Sequence, residues 1–188
     1  YQNALDILMM HGRTTRAAYA ISNIALVYHD MYNTERSVEY SLRALEMFRE
    51  AGDTNGIAST LIGMTEYYFS INDTAKVFET IEEEIALYRH IGKPFLEAYV
   101  MSNKADALMD YRQDYDGALR QLFTALTMCD TTSANRTIHI NILRKIARAY
   151  FFKDRPDKSL DYALRAVAAT DSSNRVMVMY NELLLLYI

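Results

Sequence analysis

Apolar side chains recur every three or four residues along almost the whole chain, which is the spacing of one face of an α-helix. Ile21, Ile24, Ala25 and Tyr28 share such a face, and short polar stretches such as 72–74 interrupt the pattern. We therefore predict helix pairs at 15–31 and 34–51, 55–71 and 74–91, 94–111 and 115–130, and 134–152 and 156–170. Partial helices are predicted at 1–11 and from about 174 onward.

The same pattern returns at a nearly fixed period. The position that marks the small residue of each unit recurs at Ala4, Ser37, Val77, Ala118 and Ser159. The steps between these positions are 33, 40, 41 and 41 residues. A period in this range indicates stacked supersecondary units, because one unit cannot bury its apolar face alone. Connections of two to five residues require consecutive helices to pack antiparallel. The predicted fold is an all-α, right-handed superhelical solenoid of about four antiparallel helix pairs, with partial repeats at both ends.

These periods predict one repeat domain over 1–188. Its predicted parts are a partial repeat 1–13, repeats 14–53, 54–93, 94–133 and 134–171, and a partial repeat 172–188. Gly52 and Gly92 follow long helices and are predicted C-caps, whereas Thr54, Thr74 and Ser173 are predicted N-caps. The core is predicted to include Tyr28, Tyr68, Tyr150, Tyr187, Met64 and Met109.

Two of the units share a set of residue types at equal offsets. The first unit carries it at Ile21, Ile24, Ala25, Tyr28, Ser37 and Ala44. The fourth carries it at Leu143, Ile146, Ala147, Tyr150, Ser159 and Ala166. This set resembles the tetratricopeptide repeat (TPR), and the repetition extends over nearly the whole chain. The resemblance implies a TPR-like solenoid that binds a protein or peptide in a concave groove.

The chain also departs from the TPR pattern. The second unit has Thr65 and Glu84 where small residues are expected, and the third has Asp106 and Met109 for the small and the aromatic residue. Each unit is six or seven residues longer than the 34 residues of the family. Elongated repeats of this kind resemble those of bacterial regulatory proteins, including peptide-pheromone sensors and the sensory regions of transcriptional regulators.

In the TPR family the first helix of each pair lines the groove. Projecting the helical phase gives these candidate groove residues: Tyr19, Asn23, His29, Glu66, Asn103, Lys104, Asn141, Arg144, Lys145, Arg148 and Asn181. Asn, Arg and Lys can hold a peptide backbone and a carboxylate without requiring one side-chain sequence. Ser22 and Ser59 fall on the same faces. The positions of the carboxylate clamp of TPR chaperones hold Ser22, Leu26, Ile62 and Glu66, so that clamp is not expected.

Positive charge is concentrated near the end of the chain. Residues 131–170 contain eight Lys and Arg and three Asp, a net charge of +5. The residues Arg144, Lys145 and Arg148 are therefore interpreted either as a basic groove wall or as the solvated face of an exposed helix. The whole chain has a net charge of −4, and no aromatic interleaving or base-reading motif accompanies the basic segment, so no direct binding of nucleic acid is expected.

No catalytic, cofactor or metal site is predicted. The four histidines fall in different predicted helices without carboxylates or cysteines at metal-ligand spacing. There is no phosphate loop or nucleophile motif. The single cysteine, Cys129, is predicted to be a small core residue. The terminal apolar run 183–188 is too short to cross a bilayer, so no membrane insertion is expected within this chain.

The sequence favours a non-catalytic protein- or peptide-binding module, the sensory or interaction region of a bacterial signalling or transcription-regulating protein. Two alternatives remain: a homodimerisation scaffold that uses the C-terminal helix, and the substrate-docking arm of an enzyme whose catalytic domain lies outside this chain. Because the chain begins and ends within helical patterns, we expect it to be a piece of a longer protein. The compartment stays open between bacterial cytoplasm and periplasm.

Overall fold

The computed structural model describes residues 14–129 and 135–170. Those ranges contain eight α-helices and no strand. The helices are α1 Thr14–Asp30, α2 Thr34–Ala51, α3 Thr54–Ser70, α4 Thr74–His90, α5 Pro94–Arg112, α6 Tyr115–Met128, α7 Arg136–Phe152 and α8 Pro156–Ala169. Each begins and ends within two residues of its prediction. The predicted end helices lie outside the described residues, as do Ser173, Asn181 and Tyr187.

The chain divides into two compact units, with the boundary between Leu87 and Tyr88 in the last turn of α4. In the N-terminal unit α1 packs on α2, and both α1 and α2 contact α3. In the C-terminal unit α5 packs on α6, α7 packs on α8, and α7 also contacts α5 and α6. Neighbouring pairs therefore share helix contacts within each unit, as expected for stacked repeats.

Helices α3 and α4 begin at aspartate caps rather than at the predicted threonines. The Asp53 carboxylate accepts hydrogen bonds from the backbone N–H groups of Asn55 and Gly56, at 3.1 and 3.0 Å. The Asp73 carboxylate accepts from the N–H of Lys76 at 3.1 Å. The predictions of Thr54 and Thr74 as N-caps are wrong because the residue before each already supplies a carboxylate, which also suits the positive end of the helix dipole.

The predicted C-caps are confirmed. Gly52 and Gly92 have φ angles of 66° and 65°, in the left-handed region that a residue without a Cβ adopts at no steric cost. The N–H of Gly52 donates to the carbonyl oxygen of Arg49 at 3.1 Å, which closes the last turn of α2.

A small hydroxyl residue holds the two helices of a pair together in both units. The Ser37 hydroxyl donates to the carbonyl oxygen of Ala25 at 3.0 Å, and the Ser159 hydroxyl donates to that of Ala147 at 2.8 Å. Both serines are buried. At these two positions of the recurrent marker a small residue bonds the second helix of the pair to the first, whereas the second repeat has the buried Val77 at the marker position.

The core of each unit is built from the apolar faces that the sequence predicts. In the N-terminal unit Phe48 is buried among Ala17, Ile21 and Met47. In the C-terminal unit Ile140 and Leu143 pack with Ala166, and Leu126 and Tyr162 lie against that cluster. Burial of these side chains stabilises the helix pairs of the two units.

The predicted aromatic and methionine core is confirmed for Met64, Met109 and Tyr68, which are buried. Tyr28 and Tyr150 are only half-buried. Each stacks on a tyrosine of the second helix of its pair, Tyr40 or Tyr162, at ring distances of 5.3 and 5.7 Å. The two stacks occupy equivalent positions in the first and fourth repeats. Cys129 is also buried, as predicted.

None of the described helices combines the length and the apolar character that a membrane span requires.

Candidate functional site

The N-terminal unit contains a pocket of about 420 Å³ that is lined by residues of α1, α2 and α3. It exists because the residues that face it are small. Ser37 and Ser41 come from α2, and Ser59 and Gly63 come from α3. Gly63 has no heavy atom within 4 Å of the position that a Cβ would occupy, so the helices leave open space at this point.

The wall of the pocket is partly apolar and partly hydroxylic. Leu26, Val38 and Met64 supply the apolar part, and Leu26 is 58% exposed. The remaining lining is mainly hydroxyl groups, which can donate and accept hydrogen bonds: Ser22, Ser37, Ser41, Ser59, Thr60, Tyr67 and Ser70. A ligand here can thus bury apolar atoms and form hydrogen bonds at the same time.

In addition to Tyr67, the pocket is lined by two ionisable side chains, His29 and Glu66. Both are exposed. Within the described part of the chain neither side chain forms a hydrogen bond or an ion pair. Their polar atoms are therefore available to a ligand.

A second carboxyl lies close to Glu66 but is buried. Glu84 of α4 is 4% exposed, and its Oε1 accepts a hydrogen bond from the Thr65 hydroxyl at 2.6 Å. The pKa of Glu84 is raised from 4.5 to about 7, chiefly by burial; the Thr65 hydrogen bond opposes this rise and the charge of Glu66 adds to it. These two residues, Thr65 and Glu84, are the ones that replace the small residues of the TPR pattern.

Not all of the candidate groove residues of this unit meet at the pocket. His29 and Glu66 line it, together with Ser22 and Ser59. Tyr19 instead packs edge-on against Phe48, with ring centroids 4.7 Å apart, and a hydrogen bond from its hydroxyl to Asp53 raises the pKa of Tyr19. Asn23 is exposed and is not part of the lining.

The projection of first helices missed the contribution of α2. Ser37, Val38 and Ser41 line the pocket although they belong to the second helix of their pair. The serines at 22, 37, 41 and 59 could have indicated the pocket, because a groove forms where facing side chains are too small to fill the space between helices.

In the C-terminal unit two of the candidate basic residues are paired with acidic residues of α5. Lys145 Nζ lies 2.8 Å from Asp106 Oδ2 and also donates to Ser102 Oγ and Asn103 Oδ1, at 3.0 and 3.1 Å. Arg148 forms an ion pair with Asp110 and a longer one with Asp106, at 3.4 Å. The side chains of Lys145 and Asp106 are 20% and 27% exposed.

These contacts change the interpretation of the basic cluster. Two of its three cations are neutralised by the carboxylates of α5, so the cluster is a link between α5 and α7 as much as a basic surface. Asn141 Oδ1 accepts a hydrogen bond from Arg144 at 3.4 Å, and Arg144, Asn141 and Lys104 are half-buried. Asp106, which departs from the TPR pattern, is the residue that Lys145 and Arg148 share.

Among the described residues no group of three or more His, Cys, Asp or Glu side chains could hold a metal ion.

No protein-family model matches the chain, and no curated protein matches it. Solved structures do match. The chain is similar to BtubC (BKLC) from P. vanneervenii, with a TM-score of 0.68 and 13% identity over 88% of this chain and 76% of that one. It is similar to TPR-like repeats of a putative kinesin light chain from Podosopora anserina, with a TM-score of 0.70 and 14% identity over 92% and 84% of the two chains.

A third similar structure is a Signal Transduction ATPase with Numerous Domains (STAND) protein with a tetratricopeptide repeat sensor, from Pyrococcus horikoshii. The TM-score is 0.73 at 17% identity, over 90% of this chain and 25% of that chain. At such identities the likeness establishes the fold. The chain is therefore an all-α, TPR-like solenoid of helix pairs.

Proposed function

We propose that this chain is a non-catalytic interaction module that binds a peptide, or an exposed segment of a partner protein, in the pocket of the N-terminal unit. The observation that supports this most directly is the pocket itself. It combines apolar and hydroxyl walls with two side chains, His29 and Glu66, that have no partner among the described residues. Concave sites of this composition are where proteins bind ligands.

The fold supports a peptide or protein ligand over a small substrate. Helical-repeat proteins use the surfaces between their repeats to hold extended partners. Hydroxyls from three different helices, such as Ser22, Ser41 and Ser59, can bond to the backbone groups of an extended segment regardless of its sequence. Leu26 and Met64 would then contact its side chains.

The proposal extends to the C-terminal unit in a weaker form. A ligand bound to the C-terminal unit itself would lie beside Asn103, Lys104, Asn141 and Arg144. To bind an acidic ligand, Lys145 would have to leave Asp106, and breaking this partly buried pair is costly. Arg148 would also have to leave the exposed Asp110. We therefore place the main recognition in the N-terminal unit.

The role of the module is proposed to be sensory, in a bacterial signalling or transcription-regulating protein. The elongated period of 40 to 41 residues supports the bacterial regulatory setting, because it resembles the repeats of such proteins. The STAND protein, which has a tetratricopeptide repeat sensor, supports the sensory role alone. Binding of the ligand in the pocket would change the activity of an effector region elsewhere in the full protein.

The test is to select binding peptides from a displayed library of random 12-residue sequences and then to fill the pocket. Gly63→Leu places a side chain into the open space without a clash at the Cβ. Ala86→Leu adds the same side chain at an exposed position of α4 outside the pocket and serves as the control. The selected peptides should lose at least about tenfold in affinity for Gly63→Leu and keep their affinity for Ala86→Leu, as measured by fluorescence polarisation.

Two outcomes would contradict the proposal. One is a library that yields no peptide above background on the folded wild-type chain. The other is a set of peptides that bind the Gly63→Leu chain as well as the wild type. Circular dichroism of both variants verifies that the helices remain intact.

A further inference from the structure

We propose that the pocket of the N-terminal unit selects a ligand segment with a basic side chain, Lys or Arg, which pairs with Glu66. This deepens the proposed function and rests on it, since it names the chemistry of the ligand at the same site. Three features of the pocket support it: a carboxylate without a partner among the described residues, the negative charge around it and the apolar wall beside it.

Glu66 is a carboxylate of the pocket lining that has no cation partner among the described residues, whereas two other glutamates of the unit are paired. Glu79 on α4 lies 2.8 Å from Lys76, and Glu83 on α4 pairs with Arg49 of α2. Arg36 of the same unit donates to the Tyr28 hydroxyl at 3.0 Å. No described residue forms a hydrogen bond or an ion pair with Glu66, although it lines a pocket. A ligand cation would give it a partner that the described residues do not supply.

The surroundings of Glu66 also favour a cation. Residues 14–87 contain twelve Asp and Glu and five Lys and Arg, a formal net charge of −7. Glu84 adds a second carboxyl close to Glu66; among the described residues it forms no ion pair, and it accepts a hydrogen bond from the Thr65 hydroxyl. The summed field of such a unit attracts positive ligands and repels acidic ones.

The apolar wall matches the stem of a basic residue. Lys and Arg carry three or four methylene groups that bury readily on apolar surfaces while the charged end reaches a polar group. Leu26, Val38 and Met64 line the same pocket as Glu66. The hydroxyls of Ser59 and Tyr67 can accept further N–H bonds, which suits a guanidinium with its five donors. A short acidic side chain could use neither the wall nor the carboxylate.

The experiment compares the peptides that the library yields on three chains. Glu66→Lys reverses the charge of the pocket, and Glu46→Lys makes the same change at an exposed position of α2 outside it. Peptides selected on the wild type should share a Lys or Arg at one position. They should bind Glu66→Lys at least about tenfold more weakly, and Glu46→Lys with no more than about a twofold change.

Replacing the shared basic residue of a selected peptide by norleucine, which keeps the stem and removes the charge, should cost a similar factor on the wild type. On Glu66→Lys the norleucine peptide should bind no worse than its parent. Circular dichroism confirms the folding of the variants, and Glu66→Gln, which is nearly isosteric, serves as a second test with a smaller loss expected.

The outcomes separate the two proposals. Peptides that are lost on Gly63→Leu but retained on Glu66→Lys would keep the pocket as the binding site and overturn the selection of a basic side chain. Selected peptides without a shared Lys or Arg would overturn it as well. A library that yields no specific peptide on the wild type would contradict the proposed function itself.

Discussion

Replacing Glu84 with Gln measures what the burial of this carboxyl costs the fold. Glu84 is 4% exposed, and it accepts a hydrogen bond from the Thr65 hydroxyl across the contact between α3 and α4. A glutamine keeps the shape of the side chain, and its amide oxygen can accept the same hydrogen bond. It removes only the ionisation, so the comparison isolates the electrostatic contribution.

The sign and size of the effect follow from the pKa of Glu84, which burial raises from 4.5 to about 7. The folded state holds this proton more tightly than the unfolded state. The stability that the neutral carboxyl contributes is therefore fully present below about pH 4.5 and is lost as the pH rises through 7. At about 1.4 kcal/mol for each pH unit between the two values, the loss amounts to about 3 kcal/mol.

Urea unfolding followed by circular dichroism at pH 5 and pH 8 checks this. Between the two values, the free energy of unfolding of Glu84→Gln relative to the wild type should rise by about 2 to 3 kcal/mol. Glu46→Gln, an exposed position of the same unit, should show no comparable change. If Glu84→Gln and the wild type lose stability in parallel between pH 5 and pH 8, the reasoning from burial is refuted.

Two further predictions concern packing and ion pairing. A Cβ on Gly56 would lie 2.2 Å from the buried ring of Phe48, so Gly56→Ala should lower the free energy of unfolding by about 1 to 3 kcal/mol. Gly63→Ala, in open space on the same helix, should raise the free energy of unfolding by roughly 0.5 to 1 kcal/mol. If thermal unfolding shows the same effect for Gly56→Ala and Gly63→Ala, the packing argument is contradicted. Asp106→Ala should cost about 1 to 3 kcal/mol because it leaves half-buried Lys145 without its carboxylate, and adding Lys145→Met should recover part of that loss. Additive losses in the double-mutant cycle would show that the pair is not coupled.

The helices and their pairing could be predicted from the sequence because they depend on local periodicity. The apolar faces recur at the helical spacing, and short connections leave adjacent helices few ways to pack. Ser37 and Ser159 repeat the same offset from Tyr28 and Tyr150, and in the structure both bond to a carbonyl of the preceding helix. Because the same pattern occurs in four repeats, a departure in one repeat does not hide the helix pairing that the others indicate.

The site was less predictable because it depends on what faces a residue across a helix boundary. Helical phase places Lys145 and Arg148 on one face of α7, but it does not show that Asp106 and Asp110 of α5 lie opposite them. The departures from the repeat pattern were the better guide. Asp106 turned out to be the partner shared by the two bases, and Glu84 the buried carboxyl near the pocket.

The proposed ligand and the buried carboxyl are linked through Glu66. The charge of Glu66 raises the pKa of Glu84, so a cation bound at Glu66 must lower it. Because linkage is reciprocal, a peptide with a basic side chain binds more tightly once Glu84 is ionised. The ionised Glu84 and the cation of the peptide are separated by about the width of the solvated pocket, so they attract each other by roughly 0.5 to 1 kcal/mol. The affinity of the peptide should therefore rise by about two- to fivefold between pH 6 and pH 8.

The rise in affinity is measured with a selected peptide in a His29→Gln background, which removes the imidazole from the pocket. Glu84→Gln in that background should abolish the rise while Glu66 keeps its cation. The comparison also distinguishes the buried carboxyl from the net charge of the unit, because Glu46→Gln removes one charge from the same unit at a distance from the pocket and should leave the rise intact. If the affinity still rises after Glu84→Gln, another titrating group controls the pocket and the coupling between Glu66 and Glu84 is not its cause.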